Sequence, residues 1–470
     1  MTVLQRLFAR QPLAWTTSES DGPPLRRALG WPALTCIGLG TMLGGIFPTI
    51  GDGAHHAGPA VILAFLLSGA VCVCVALCYA EFASMVPVAG SAYTYAYATL
   101  GEIVAWIIGW DLILEYGISA APVASSWSSF AQGLLATAGV HLPVWAQTAN
   151  FNGVHSQIDL LAALVVLALS ALLAVGIRAS SNVNIVLVVA QIVSMLIFLV
   201  AAFPHIHATN FHPFAPFGWG GIGASTALVF FAYIGFDTVT VASEEAHEPH
   251  RDVPIGIILS LIIGGLLYVA LTYVTVGALN WTKLSAGAAM LDAVTAATHN
   301  STLIWIVGFG GVAGNTTVML TSLLGQVRIF YVMARDRMLP PAVARVNPRF
   351  RTPARMTMIT GVIVSILAAI VPLDFLLKMV NIGTLSAFTI VCAGILILRV
   401  IEPNAPRPFR APLGPVFAVL GTITCLATML YLGGPTWGRF IGWFIVGIVI
   451  YAMYGFWHSR LRTGVAPPPP

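Results

Sequence analysis

The chain is a series of long apolar segments separated by short polar stretches. Segments of about 18 or more mostly apolar residues recur along nearly its whole length, and each can cross a hydrocarbon core of about 30 Å as a helix. About twelve such segments lie between residues 33 and 458. The pattern therefore predicts an all-α, polytopic membrane protein with about twelve transmembrane helices.

Composition supports a chain that is solvated by lipid. Hydrophobic residues make up 58% and charged residues only 8% of the sequence, whereas soluble domains carry about 25% charged residues. The charged residues before the first apolar segment are followed by no small-residue cleavage site, so we expect this segment to remain as a helix. The net charge of +4 does not indicate a nucleic-acid partner, because the basic residues lie in the loops. Membrane lipid is the expected environment.

The distribution of basic residues predicts the orientation. With the N-terminus in the cytoplasm, nearly every Lys and Arg falls inside, and the exceptions are Lys283, Lys378 and Arg439. An even number of spans satisfies the positive-inside rule, which places both the N- and C-termini in the cytoplasm. The expected organisation is a cytoplasmic segment (1–32), a first repeat (33–203), a second repeat (222–400), two further helices (413–458) and a disordered, proline-ending cytoplasmic tail (459–470).

Two apolar segments carry signs of a broken helix. Gly38 to Pro48 in the first segment is rich in glycine, and Phe230 to Asp237 in the sixth combines a glycine with an acid. Interruptions five helices apart indicate an inverted repeat of five plus five helices. Free N–H groups and carbonyls at such breaks can receive the two ends of a zwitterion. The alternative is that these glycines only allow close helix packing.

Several polar residues lie within the apolar segments. Asp111 and Glu115 are spaced i, i+4 in the third segment, and an intramembrane carboxyl indicates a functional site unless it merely bonds to neighbouring helices. Gln191 and Asp237 are further deep polar positions. We expect the hydroxyls of the eighth segment to bond to carbonyls of their own helix. Alternatively, Thr321 and Ser322 ligate a sodium ion.

Other reactive side chains indicate no chemistry. The six cysteines lie in apolar segments, where Cys packs as a small apolar residue. Most histidines, His55 and His56 among them, are expected in solvated outside loops. The sequence contains no nucleophile and base constellation and no phosphate loop. We therefore predict no enzyme, no cofactor and no metal site.

Several motifs together carry a resemblance to a known family. They include Glu244-Glu-Ala-His-Glu-Pro-His-Arg-Asp-Val-Pro254, Arg328-Ile-Phe-Tyr-Val-Met-Ala-Arg-Asp336, Gly109-Trp-Asp-Leu-Ile-Leu-Glu-Tyr116 and Asn381-Ile-Gly-Thr-Leu385. In this order the motifs resemble the amino acid/polyamine/organocation superfamily, and within it the bacterial cationic amino acid transporters. The resemblance covers residues from about Arg6 to Arg410. It implies a leucine-transporter-type fold with broken helices one and six.

The resemblance also implies a site and an activity. The substrate, an amino acid, would lie between Thr41, Met42, Leu43, Gly44, Gly45 and Ile46 of helix one and Phe231, Ala232, Tyr233, Ile234 and Gly235 of helix six. Its carboxylate would meet amides near Leu43 to Gly45, and its amine the carbonyls of Phe231, Ala232 and Ile234. Coupling or gating would fall to Glu115, Gln191, Asp237, Thr321 and Ser322. Proton-coupled relatives commonly place a Lys where we align Gln191.

The expected function is therefore an amino acid permease of the bacterial inner membrane that works by alternating access. Uniport, exchange and symport with a coupling proton remain open, and a sodium symporter is the alternative mechanism. An alternative of another class is a membrane sensor that keeps a transporter fold. The loops that contain Glu244 and Arg335 could form a charged gate on the inside. The alternative is that these residues only set the topology.

Overall fold

The computed structural model describes residues 8–10, 29–85, 92–93, 96–97, 100–149, 157–175, 181–345, 347, 352–413 and 415–463. Within these residues the chain is helical, and the one extended pairing is an isolated bridge between Leu29 and Ala246. The all-α prediction is confirmed for this part of the chain. The side chains of Glu244 and Glu245, and the predicted tail beyond residue 463, lie outside it.

The helices follow the apolar segments closely. Their bounds are Trp31–Met42 (α1), Ile50–Ala57 (α2), Val61–Met85 (α3), Glu102–Thr137 (α4), Leu160–Ala174 (α5), Ser181–Ala202 (α6), Gly218–Val229 (α7), Pro249–Ala278 (α8), Ala289–Thr298 (α9), Ser301–Arg335 (α10), Ala354–Ile370 (α11), Leu373–Ile401 (α12), Val416–Leu430 (α13) and Gly434–Ile450 (α14). Short helices at 456–458 and 460–463 follow α14.

Eight helical stretches in the described residues are long and apolar enough to cross a membrane. Shorter apolar helices accompany them, among them Trp31–Ile46, Leu160–Ala174, Ala354–Ile370 and Val416–Leu430. The protein is therefore an integral, multi-pass membrane protein. The count of about twelve spans stays a prediction.

Local chemistry explains where several helices begin and end. Pro32 occupies the first turn of α1, where a missing N–H costs nothing. The Asp159 carboxylate accepts from the Ala162 N–H at the start of α5, and Asn300 caps α10 through the Thr302 N–H. Gly58 and Gly101 stand at positive φ next to α2 and α4, in a region that glycine adopts at little cost.

Two of the apolar segments are interrupted. After α1, Leu43–Ile46 forms a 3₁₀ turn, and α2 resumes at Ile50 beyond Pro48, which has no N–H to donate. After α7, a 3₁₀ turn at Phe230–Tyr233 leads through extended Ile234 and left-handed Gly235. A longer 3₁₀ helix at Phe236–Glu245 replaces the expected α-helix. The two interruptions pack against each other.

The beginning of the predicted tail is ordered. Residues Arg460–Thr463 form a short helix, and the buried Ser459 hydroxyl donates to the Glu102 carboxylate at 2.6 Å. The partner carboxylate belongs to α4, so this contact joins the start of the tail to a distant helix. Disorder of the tail stays a prediction, because the residues beyond 463 lie outside the described part of the chain.

Candidate functional site

The two helix interruptions meet through glycines. A Cβ added to Gly45 would lie 2.9 Å from the Cα of Ala232, and one added to Gly44 would lie 2.8 Å from the Gly314 carbonyl oxygen. These distances are too short for any side chain, so glycine is required here for the backbones to approach. The glycines thus hold the break after α1 against α10 and against the break after α7.

Thr41, at the end of α1, joins the two breaks by hydrogen bonds. Its hydroxyl oxygen lies 2.8 Å from the Gly235 carbonyl oxygen and 2.9 Å from the Thr238 hydroxyl. Thr238 donates to the same Gly235 carbonyl at 2.6 Å. Gly235 has a φ of +118°, which strains any residue that carries a Cβ. The polar bridge therefore depends on a backbone conformation that favours glycine.

A small cavity lies between the breaks, α4 and α10. Its volume is about 60 Å³, room for roughly two waters, since a water takes up about 30 Å³ of liquid. The lining residues are Thr41, Gly45, Glu115, Tyr116, Ser119, Phe231, Ile234, Gly235, Thr238, Val318, Thr321 and Ser322. The cavity thus combines hydroxyl groups and one carboxyl with apolar side chains.

Glu115 contributes the carboxyl of this cavity. The side chain is buried, and neither carboxylate oxygen has a hydrogen-bond partner within 3.5 Å in the described residues. The Thr384 hydroxyl is a polar neighbour of this carboxyl and donates to the Val380 carbonyl at 3.1 Å. The buried carboxyls of Asp237 and Asp111 are electrostatic neighbours of Glu115. A buried carboxyl without a partner is costly unless a ligand or a proton satisfies it.

The structure brings half of the predicted site residues to the cavity wall. They are Thr41, Gly45, Phe231, Ile234, Gly235, Glu115, Thr321 and Ser322. The others do not line this cavity: Met42, Leu43, Gly44, Ile46, Ala232, Tyr233, Gln191 and Asp237. Tyr233 faces α3, where its hydroxyl donates to the Phe65 carbonyl at 2.8 Å. The functional roles of both groups stay predictions.

Part of the backbone at the breaks is already hydrogen-bonded. The Phe231 carbonyl accepts from the Ile234 N–H at 3.2 Å, and the Ala232 carbonyl accepts from the Tyr268 hydroxyl at 2.8 Å. On the other side, the Leu43 N–H donates to the Leu39 carbonyl. A substrate that used these groups would have to share or replace these bonds.

Thr321 shows the hydrogen bonding expected for hydroxyls on α10. Its hydroxyl donates to the carbonyls of Thr317 and Val318, at 3.1 and 2.9 Å. Thr316 and Thr317 bond in the same way one turn back. The prediction that these hydroxyls bond to their own helix is confirmed for these three residues.

Gln191 lies buried behind the break after α1. A Cβ on Gly314 would stand 2.7 Å from its side-chain Cδ and 2.6 Å from the Phe47 ring. Neither atom of the Gln191 amide has a hydrogen-bond partner within 3.5 Å in the described residues. Gln191 therefore touches the supporting α10 backbone rather than the cavity.

Four lining residues escaped the sequence analysis: Tyr116, Ser119, Thr238 and Val318. Helical spacing could have predicted Ser119, because it follows Glu115 by four positions and therefore lies on the same face of the helix. Val318 likewise precedes Thr321 by three positions. Thr238 was not selected because its neighbour Asp237 is the more polar residue.

The loops predicted to form an inside gate are only partly described. Arg251 lies 3.6 Å from Glu248 in an exposed pair, and the Asp252 carboxylate accepts from the Glu248 N–H at the start of α8. The contact between Asp252 and the Glu248 N–H is a helix cap. It favours a structural role for Asp252 over a role in a gate. On this side the His247 N–H donates to the Leu29 carbonyl at 2.8 Å.

Comparison with known proteins identifies the family. A family model described as amino acid permease matches residues 29–451. The chain is 40% identical over 464 residues to a branched-chain amino acid permease of Bacillus subtilis, which covers 98% of this chain and 99% of the relative. It is 39% identical over 461 residues to a methylthioribose transporter of the same organism, with 98% and 100% covered.

More distant relatives point the same way. A vacuolar cationic amino acid transporter of Arabidopsis thaliana is 36% identical over 402 residues, which cover 82% of this chain and 66% of the relative. These relatives are named as transporters and permeases, and the family model extends from α1 to beyond α14. The chain therefore belongs to the amino acid permease family of the amino acid/polyamine/organocation superfamily.

Proposed function

We propose that the protein carries a neutral amino acid with an apolar side chain across the bacterial plasma membrane. The observation that carries this proposal is the cavity between the two helix breaks, whose lining combines the apolar side chains of Phe231, Ile234 and Val318 with the carboxyl of Glu115 and several hydroxyls. A cationic side chain would need a carboxylate of its own, and among the described residues of the lining Glu115 is the one acid. A branched, apolar side chain suits the apolar wall, and one relative is named a branched-chain amino acid permease.

The volume of the cavity supports alternating access. About 60 Å³ is far below the roughly 300–1,000 Å³ of sites that hold small molecules. Binding must therefore enlarge the cavity, by moving the breaks and α4 or α10 apart. We infer that the substrate site opens to one side of the membrane at a time and is nearly closed in this conformation.

Helix pairing supports the five-plus-five repeat that we propose. Counting α1 with α2 as the first span, α3 packs on α8, α4 on α10 and α5 on α11, and the two breaks pack on each other. Each pair joins the spans that such a repeat would relate. With twelve spans, both termini lie in the cytoplasm, in agreement with the positive-inside rule.

We assign the coupling role to Glu115. Its carboxyl is buried, faces the cavity and has no hydrogen-bond partner among the described residues, so it can take up a proton or meet the substrate amine. Proton symport, exchange and uniport differ in whether this proton moves with the substrate. Sodium symport through Thr321 and Ser322 is the competing mechanism.

The test is uptake of labelled amino acids into proteoliposomes, with and without an inward proton gradient, in sodium and sodium-free buffers. We expect accumulation of leucine, isoleucine or valine that depends on the proton gradient and that Glu115→Gln abolishes. Accumulation that needs sodium would instead select the sodium mechanism. No uptake of any amino acid would overturn the substrate assignment.

A second candidate substrate is a thioether sugar, because one relative is named a methylthioribose transporter. Thr41, Ser119 and Thr238 offer hydroxyls for a sugar ring, and the apolar wall suits a methylthio group. Competition distinguishes the two candidates. If the substrate is an apolar amino acid, excess leucine suppresses uptake of labelled isoleucine and excess methylthioribose does not. If excess methylthioribose suppresses this uptake and excess leucine does not, the sugar is the better candidate.

A further inference from the structure

Three side chains with metal-ligating atoms converge at the end of α2 and the start of α12. They are Asp52, His56 and Asp374, and one ligand atom from each lies within 4.8 Å of the other two. The predicted topology places this end of both helices outside the membrane. His56 stands on α2, so the expectation of a solvated loop residue is wrong for it.

His56 is held in an orientation that suits a ligand. Its Nδ1 lies 3.0 Å from the Asp52 carbonyl oxygen. A carbonyl can only accept, so Nδ1 carries the hydrogen, and the neutral ring presents its Nε2 lone pair on the other side. Nε2 stands 3.7 Å from Oδ1 of Asp374. A backbone carbonyl that fixes the tautomer in this way is the usual outer partner of a metal-bound histidine.

Asp52 supplies the second and independent observation. The residue is only 5% exposed, and its Oδ2 has no hydrogen-bond partner among the described residues. It precedes His56 by four positions, so both side chains leave α2 on one face. Burial of an unpartnered carboxylate oxygen is expensive unless a cation completes the site.

Asp374, on α12, is the third member of the group, and Asp52, His56 and Asp374 are called the triangle below. Its Oδ2 lies 2.7 Å from Nζ of Lys378, while its Oδ1 has no hydrogen-bond partner in the described residues. Asp374 and Lys378 also line an outer cavity of about 650 Å³, together with Arg439. This cavity reaches Asp374, one of the three side chains.

The charges around the triangle limit the affinity for a metal. Two carboxylates face Lys378, whose ammonium group acts on Asp52 as well as on Asp374. The local charge is then one negative unit with a neutral His56, and a divalent cation changes it to one positive unit. A site with this net charge binds a divalent cation more weakly than the same site would without the lysine.

We propose that Asp52, His56 and Asp374 form a binding site for Zn²⁺ that joins α2 to α12. Imidazole nitrogen and carboxylate oxygen are both zinc ligands, and a water in the fourth position would complete a tetrahedral site. Zinc bonds of about 2.0–2.1 Å place tetrahedral ligands about 3.3 Å apart. The present 3.7 Å between His56 and Asp374, and separations of no more than 4.8 Å for the other two pairs, would have to shorten by up to about 1.5 Å through side-chain movements.

The ligand set favours zinc over the hard cations. Calcium takes six to eight oxygen ligands and magnesium prefers oxygens and water, whereas imidazole suits zinc. α2 directly follows the break after α1, and α12 packs against the break after α7. A bound ion would therefore hold the outer ends of α2 and α12 together, next to the two breaks whose movement opens the central cavity under the proposed function.

The first test measures binding and does not depend on transport. Purified full-length protein is titrated with Zn²⁺ by calorimetry, and Co²⁺ is used as a spectroscopic replacement. We expect one ion per chain and a cobalt spectrum of a four-coordinate site with nitrogen and oxygen ligands. His56→Asn and Asp374→Asn should each weaken zinc binding at least tenfold.

His55→Asn is the matched control. His55 lies on the same helix, but its Nε2 stands 2.9 Å from the Leu284 carbonyl oxygen, away from the triangle. We expect this variant to bind zinc as tightly as the wild type. Equal binding by wild type and His56→Asn, or no binding by the wild type, would overturn the site, and the wild-type cobalt spectrum decides even if a variant fails to fold.

A second measurement concerns the consequence for transport. External Zn²⁺ should slow uptake into proteoliposomes several-fold for the wild type and for His55→Asn, and have little effect on His56→Asn. Chelation should restore the wild-type rate. Inhibition that persists in His56→Asn would show that zinc acts elsewhere, and would overturn the proposed link between α2 and α12.

Discussion

Thr41 and Gly235 join the two interrupted helices, with the Thr41 hydroxyl oxygen 2.8 Å from the Gly235 carbonyl oxygen. The two residues are 194 positions apart in the chain. Gly235 accepts a second hydrogen bond from Thr238, so three polar groups form one bridge at the cavity wall. Under the proposed alternating access the breaks move apart, so we expect this bridge to change during transport.

Replacing Thr41 by Val tests the bridge. The substitution keeps the shape and removes the hydroxyl, which leaves buried polar groups with one partner fewer at a cost of about 1–3 kcal/mol. We expect uptake to fall about tenfold, since 1.4 kcal/mol corresponds to a factor of ten. Initial rates in proteoliposomes measure the effect.

Thr35→Val is the control for this change. Thr35 lies on the same helix, and its hydroxyl donates only to the Trp31 carbonyl within α1. Its substitution should leave uptake within twofold of the wild type. If the two variants transport alike, the bridge between Thr41 and Gly235 has no part in transport.

Val318 determines how much space lies opposite the helix breaks. It lines the cavity and packs on Gly44, where an added Cβ would lie 2.3 Å from a Val318 methyl carbon. Val318→Ala should enlarge the cavity and shift preference towards larger apolar substrates. We expect the ratio of phenylalanine to valine uptake to rise about tenfold, because a methylene difference in a pocket is worth roughly 10-fold or more.

Val307→Ala provides the comparison, since Val307 is buried on the same helix but does not line the cavity. This variant should lose some stability and keep the wild-type ratio of uptake rates. An equal change of selectivity in both variants would mean that Val318 acts through general loosening of α10.

The sequence predicted the parts of this site that depend on local composition. Glycines at Gly44, Gly45 and Gly235 indicate broken helices because glycine permits close approach and positive φ. Hydrophobic segments predicted the helices because lipid requires the backbone to bond within each segment. These features need no knowledge of distant contacts.

Features that depend on pairing between distant segments could not be predicted in the same way. The Tyr268 hydroxyl occupies the Ala232 carbonyl, and nothing in the local sequence of either residue indicates the other. Asp374 meets Asp52 and His56 only because α12 packs beside α2. The resemblance implied that Tyr233 lies at the substrate, and the contact of its hydroxyl with Phe65 on α3 could not be inferred from the local sequence; its role stays a prediction.

Gln191 allows a test that separates stability from function. Its buried amide has no hydrogen-bond partner within 3.5 Å among the described residues, a situation that costs about 1–3 kcal/mol. Gln191→Met preserves the size and removes the polar atoms. We expect the apparent Tm in detergent to rise by roughly 2 °C, while uptake decreases if the amide is needed when the breaks move.

Gln132→Met is the control, because it removes an amide that has hydrogen-bond partners. The Gln132 amide donates to the Ser128 hydroxyl at 2.9 Å and to the Gln147 carbonyl at 2.6 Å. Its removal should lower the apparent Tm. A fall of Tm in Gln191→Met as well would show that Gln191 has a partner, such as a bound water, in the membrane.

Asp159 makes stability depend on pH. It caps the N-terminal end of α5, just before the apolar helix Leu160–Ala174, and burial raises the pKa of its carboxyl from 3.8 to about 7, although hydrogen bonds from Ser128 and the Ala162 N–H oppose this shift. The folded state therefore binds the proton more tightly than the unfolded state. The stabilisation is complete below about pH 4 and is lost as the pH rises through about 7.

The apparent Tm should accordingly fall between pH 5 and pH 8, and Asp159→Asn should reduce this fall while an amide oxygen still caps α5. Ser128→Ala removes a hydrogen bond that favours the ionised carboxylate, so it should move the midpoint of the fall to higher pH. Because one substitution should reduce the fall and the other should move its midpoint to higher pH, a common loss of stability cannot imitate the result. An unchanged pH profile in both variants would remove Asp159 as its cause.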